Sequence, residues 1–389
     1  MKYWRGFLIA AIVGAFTWAL NEFAASHTLL VDMIWPYMTR TYQTYLAQWS
    51  SNVEFCIWQT LAIVLLLLVL TSLLLMIILK WNPIQWLGWV AAAASVLFFF
   101  HTVIYGLNAH AGSIAADIHL TETEYTLAEL EDAAAYYRDK ANALAVQVKR
   151  DSNGDVKFDD FDTLAEMSSL GYAVLVDEHS CSVFAGTDVP VKQLGWANMY
   201  TSMGITGVTV AMTGEAAVNP QIPAISLPFT MCHELAHRVS IATERDANFA
   251  AFLGARFHPD VQFQYSAYYM AYRYCYTALL RVGATAAAGR VSAGACKELQ
   301  HDMKQYDEFF SSRKDDSATK LANTANDTML KTIGDDSGIA SYGEVTDLLV
   351  CWHIQEVVLP SQQQEEQKFD PYDPSQVDLT GLANAPSAG

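Results

Sequence analysis

Three stretches within the first 107 residues are each long and apolar enough to cross a lipid bilayer, and they divide the chain before anything else is read from it. A hydrocarbon core about 30 Å thick needs about 20 apolar residues. The first stretch runs from Phe7 to about Ala25, behind Lys2 and Arg5. The second, Phe55 to Leu79, carries no charge. The third, Ile84 to about Leu107, has tryptophans near its start and Tyr105 near its end, a placement that suits the two lipid–water interfaces. Charged residues are only 16% of the 389-residue chain, against about 25% in soluble domains. The deficit lies mostly before Asn108, so it belongs to a membrane region and not to the whole protein.

The first stretch has a basic start and small residues at Ala24 and Ala25, which is also the pattern of a signal peptide. Trp18, Leu20 and Phe23 extend its apolar run and favour an anchor. Lys2, Arg5 and Lys80 are the basic flanks, and the positive-inside rule places the N-terminus and the turn at Lys80 in the cytoplasm. The remainder is then extracytoplasmic, whether or not the first stretch is cleaved. Apart from His101 the spans hold few ionisable groups, which argues against transport. A net charge of −18, mostly on the outer part, argues against nucleic acid.

Residues 1–107 are thus expected to form a membrane region, 108–358 an extracytoplasmic domain, and 359–389 a polar, aperiodic, disordered tail. Ala111–Arg150 reads as helix, with Thr126 and Glu129 spaced as a capping box. From Gly171, the runs "GYAVLVDEHSCSVFAG", "PVKQLGWANMY" and "GITGVTVAMTGE" read as a small sheet, and helix resumes near Pro228. The cysteines lack CxxC spacing. A Cys275–Cys296 bridge is one reading, and buried free thiols are the other.

The stretch "PFTMCHELAHRVSIATERDANFAAFLG" concentrates the chemistry. Pro228 suits the first turn of a helix that sets His233 and His237 one turn apart on one face. Two imidazoles at that spacing can bind one Zn²⁺, with Glu234 beside the open coordination position as general base. A buried helix could spell the same five residues without a metal. The continuation favours the metal. Ser240–Thr243 is a turn, Thr243 with Asp246 starts a second helix, and Glu244 in its first turn is the candidate third ligand. Asp246 is the alternative ligand, and Asn248, one turn on, a hydrogen-bonding support. Tyr265 is the candidate electrophile for a developing oxyanion.

"ERDAN" after "HELAH" resembles the Glu-x-x-Ala-Asp/Asn third-ligand pattern of gluzincin metallopeptidases. With "YGLNAH", "MTGEAAVN", "LPFTMCHELAHR", "FQYSAYYMAY" and "SYGEVTDLL", most of the chain resembles an uncharacterised bacterial membrane family, domain-of-unknown-function family 3810. The resemblance implies a multi-pass protein of the bacterial cytoplasmic membrane with an α+β, mostly helical, zincin-like outer domain. It further implies a zinc cofactor and a peptide or protein substrate, which it does not identify. Ser240 departs from the pattern, where glycine is expected, and Arg238 stands where glutamine is expected. The alternative function is a non-catalytic, zinc-stabilised binding or sensor domain.

Overall fold

The computed structural model describes residues 2–313, 315–333 and 344–362. Its N-terminal region is four long helices: α1 (Arg5–Ser26), α2 (Thr28–Ser50), α3 (Ile57–Ile78) and α4 (Pro83–Ile104). Three of these, α1, α3 and α4, are long and apolar enough to cross a membrane. In α1 and α4, Gly6 meets Gly88 and, ten or so residues on, Phe16 meets Phe99, so the two helices run parallel. The fourth, α2, was not anticipated from the sequence. It packs Val31, Thr39, Gln43 and Ala47 inward and leaves an apolar and aromatic face outward, a helical periodicity interrupted by charge only at Asp32 and Arg40.

The larger unit begins with α5 (Ile114–Asp117) and α6 (Leu127–Ala145). Residues 118–126 are irregular, so helix covers less of Ala111–Arg150 than expected. The Thr126–Glu129 capping box closes as its spacing predicts. Next come α7 (Phe161–Met167) and α8 (Leu170–Asp177), so "GYAVLVD" is helix and not strand. Gly171, Tyr172 and Leu175 are buried at helical spacing, and a short apolar run does not by itself distinguish the two periods.

The sheet is smaller than expected and comprises β1 (Lys192–Gln193), β2 (Gly207–Val210) and β3 (Glu215–Val218), with α9 (Ala197–Ser202) after β1. Its order is β1-β3-β2. β1 runs parallel to β3, while β2 is antiparallel with Val208 opposite Ala217. This leaves β2 at the edge.

The remaining helices are α10 (Leu227–Arg238), α11 (Glu244–Arg256), α12 (Val261–Arg281), α13 (Thr285–Ala293), α14 (Lys297–Arg313), α15 (Asp316–Ile333) and α16 (Val345–His353). Tyr137, Phe252 and Trp352 from α6, α11 and α16 pack together in the core that these helices enclose, Phe252 edge-on to the other two. All six cysteines are free, so Cys275 and Cys296 do not pair. Of the expected disordered tail, residues 359–362 continue the last helix, and the rest lies outside the described residues.

Both regions meet closely. The buried Glu215 of β3 accepts the backbone N–H groups of Ile57 and Trp58, the first turn of α3, at 2.8 and 2.9 Å, and also pairs with Lys192. A carboxylate at a helix start satisfies N–H groups that have no partner within the helix. The β2–β3 turn rests on α2. Gly214 has φ +65°, and a Cβ there would lie 2.5 Å from the Ala47 nitrogen.

Candidate metal centre

Pro228 lies in the first turn of α10, as its fixed φ and missing N–H favour. The helix stops after Arg238, where Ser240 adopts φ +75°. Ser240 N–H bonds the His237 carbonyl and Ile241 N–H the Ala236 carbonyl, the paired bonds of a Schellman ending. A left-handed non-glycine residue costs about 1–2 kcal/mol. Thr39 and Gln43 of α2 hold the Ser240 hydroxyl at 2.8 and 3.0 Å, which fixes the turn where glycine would have been unstrained. The Thr243 hydroxyl then accepts the Asp246 N–H and starts α11.

This turn brings Glu244 back to both histidines. Glu244 Oε2 lies 3.3 Å from His233 Nε2, and Oε1 lies 3.6 Å from His237 Nε2. The three ligand atoms all fall within 4.8 Å of one another. Bonds of about 2.1 Å at tetrahedral angles would set donor atoms about 3.4 Å apart, so the spacing fits zinc. The donor set, two imidazoles and a carboxylate, also fits. Within the group, His233 Nδ1 and Glu244 Oε2 are buried without a hydrogen-bond partner. Acceptor-only carboxylate oxygens, each facing one imidazole nitrogen, are costly to bury unless a cation or proton sits between them.

His237 Nδ1 lies 2.8 Å from the Ile241 carbonyl and 2.9 Å from the Tyr105 hydroxyl. A carbonyl only accepts, so Nδ1 carries the proton and Nε2 is left to ligate. Burial alone would lower the His237 pKa, but the adjacent Glu244 more than reverses this and lifts it from 6.5 to about 9 without metal. Burial pushes Glu244 up, yet the two imidazoles hold it well below the usual carboxylate range.

The pair therefore stabilises the metal-free chain in a pH window. Its contribution through His237 is complete below pH 6.5 and is lost as pH rises through about 9. Its contribution through Glu244 holds above the ordinary carboxylate range and is lost as pH falls through the depressed value. A zinc ion held here would have to displace the His237 proton. Zinc affinity is accordingly expected to rise about tenfold per pH unit between 6 and 8. Chelator competition at pH 6, 7 and 8 checks this, and a flat profile would contradict it.

Glu234 is buried, and its carboxylate Oε2 accepts the Thr209 hydroxyl of β2 at 2.7 Å. Burial raises its pKa, against the lowering effect of the two histidines and of Thr209. A raised, positioned carboxyl suits proton transfer near neutral pH. Gly207 of β2 backs the same side chain, since a Cβ there would lie 2.3 Å from Glu234 Oε1. Beyond His233 opens a cavity of about 460 Å³ that Thr206, Asn248, Arg273 and Tyr274 help to line.

The other expected residues are placed as follows. Asp246 accepts the Ser113 hydroxyl and is not among the grouped ligands. Asn248 donates to the Glu244 backbone carbonyl and accepts the Tyr274 hydroxyl. Arg238 turns its guanidinium to the carbonyls of Thr187 and Val189.

Tyr265 is not at the site. Its hydroxyl donates to Asp302, which Arg150 grips with two hydrogen bonds, so the phenol is committed to the core. Tyr274, nine residues on and therefore on the opposite face of α12, is the tyrosine that reaches the cavity. Sequence reading also missed Tyr105, Thr39, Gln43 and Thr209, whose partners lie at least 25 residues away.

A family model described as "Protein of unknown function (DUF3810)" matches residues 33–350. No curated protein and no solved structure matches the chain.

Proposed function

We propose that this chain, which belongs to the DUF3810 family, is a membrane-anchored, zinc-dependent peptidase with a zincin-like, gluzincin-type site facing away from the cytoplasm. The observation that carries the reading is the convergence of His233, His237 and Glu244 with a positioned Glu234 beside them. The spacing, the orphaned carboxylate oxygen and the position of His233 on the cavity wall, its side chain 12% exposed, all favour a site that binds a metal and meets a substrate.

In this reading His233, His237 and Glu244 would hold Zn²⁺, which would supply Lewis acidity and lower the pKa of a water to about 7. Glu234 takes the water's proton as the water oxygen bonds the scissile carbonyl carbon. It delivers that proton to the amine nitrogen as the C–N bond breaks. Thr209 keeps the carboxylate aimed through the transfer. Tyr274, on the same cavity wall as His233, would donate to the oxyanion once its bond to Asn248 is exchanged. The edge strand β2 offers unpaired backbone groups to an extended peptide, a common recognition mode. The three apolar helices and the basic residues Lys2, Arg5 and Lys80 support a multi-pass anchor with the site outside.

A Gly207→Ala variant tests how Glu234 is positioned. Its methyl group would displace the Glu234 carboxylate while leaving the ligands in place. Hydrolysis should fall at least tenfold with zinc content unchanged. Full activity in this variant would show that Gly207 does not set the position of Glu234.

A further inference from the structure

The helix α2 joins two apolar helices and cannot stand away from the plane they enter. The C-terminal end of α4 and the first turn of α3 both touch the larger unit: Tyr105, the residue after α4, bonds His237, and Glu215 caps Ile57 and Trp58. Since α1 runs parallel to α4, its end at Ser26 lies on the same side. The chain therefore leaves α1 and enters α3 at one membrane level.

Between them, α2 has 23 residues, and at about 1.5 Å each it is about 35 Å long. Only residues 51–56 link it to α3, and even fully extended they reach about 24 Å. An upright α2 could not return to the membrane. Lys192 Nζ bonds both the Ser50 carbonyl at the end of α2 and the Phe55 carbonyl just before α3, at 2.8 and 3.1 Å, so α2 ends beside the start of α3 and lies along the surface.

Its outward face fits that position. Tyr37 and Tyr45 are 73% and 70% exposed, and Met38, Tyr42 and Trp49 share their side. Tyrosine and tryptophan favour the lipid–water interface. The two charged residues of α2 face elsewhere: Asp32 accepts Gly112 N–H, and Arg40 donates to the carbonyls of Val239 and Ser182. The opposite face carries Thr39 and Gln43, which hold Ser240 between His237 and Glu244. Tyr105, the residue after α4, reaches His237 directly.

We infer that α2 lies in the outer lipid interface as the floor of the metal site, and that the substrate is a polypeptide segment held at the membrane surface. The second half rests on the peptidase reading; the first does not. The site stands about one helix diameter, about 10–12 Å, from the lipid. A segment of a membrane-inserted or lipid-linked chain would thus meet the cavity at high local concentration.

The test uses the full chain in phospholipid nanodiscs, with spin labels on Tyr37→Cys and Tyr45→Cys in a Cys296→Ser background. A label on Val146→Cys, at an exposed position of the larger unit, serves as the aqueous reference. Labels at 37 and 45 should be relaxed several-fold more by oxygen than by a nickel chelate, with the reverse at 146. Labels at 37 and 45 as open to nickel as 146, or broadened by a second copy, would overturn the interfacial placement.

For the substrate, one peptide is supplied free and, at equal concentration, tethered to a lipid in the same nanodisc. At least tenfold faster cleavage of the tethered form is expected. Equal rates would overturn the surface substrate. Cleavage of neither by zinc-loaded chain would count against the peptidase reading and the surface substrate together, leaving the label pattern to decide the helix.

Discussion

Glu244→Ala is expected to strip zinc from the protein. Glu244 supplies the carboxylate that faces both imidazoles, at 3.3 and 3.6 Å, and Asp246 is held by Ser113 and cannot replace it without breaking that bond. Two histidines alone leave a tetrahedral site half occupied by protein. The expected result is about one zinc per wild-type chain after detergent purification and less than a tenth of that in the variant. Stability should follow. At free zinc a thousandfold above the dissociation constant, binding stabilises the folded state by about 4 kcal/mol. Wild type should therefore gain thermal stability with added zinc and the variant should not. Equal zinc in the two proteins would show that another group is the third ligand.

Glu234→Gln is expected to separate binding from turnover. The side chain touches Thr209 and belongs to none of the ligand pairs, so zinc content should match wild type. The amide cannot accept the proton, and loss of a positioned general base costs about 10²–10⁴ in rate. A peptide-library digest with both proteins reads this out. Comparable cleavage would remove Glu234 from the base role. No cleavage by zinc-loaded wild type would favour the binding or sensor alternative.

The local parts of the site could be read from sequence because local rules fix them. Pro228 and Thr243 mark two helix starts, the i, i+4 histidines share a face, and Glu244 follows a turn short enough to close. The supporting residues follow no local rule. Tyr105 and His237 are 132 positions apart, and Thr39 and Ser240 are 201. No period or cap signals such a pair.

The tyrosines of α12 show the same limit. Tyr265 and Tyr274 sit on opposite faces of one helix, and only the packing of α14, which brings Asp302, assigns one to the core and the other to the cavity. The short apolar run after Gly171 became helix because its buried positions recur at helical spacing once α11 packs against it. In α2 the signal was present, an outward aromatic stripe over 23 residues, but it lies between stronger hydrophobic segments that draw the eye to spans.

The most direct test of the central claim is zinc K-edge X-ray absorption on the full-length protein loaded with one equivalent of zinc. The account predicts a first shell of nitrogen and oxygen only, at about 2.0–2.2 Å, with outer-shell scattering from two imidazoles. It predicts that His237→Ala, left with two protein ligands, loses this spectrum together with its tightly bound zinc. A shell containing sulfur at about 2.3 Å, or a spectrum unchanged by His237→Ala, would contradict it.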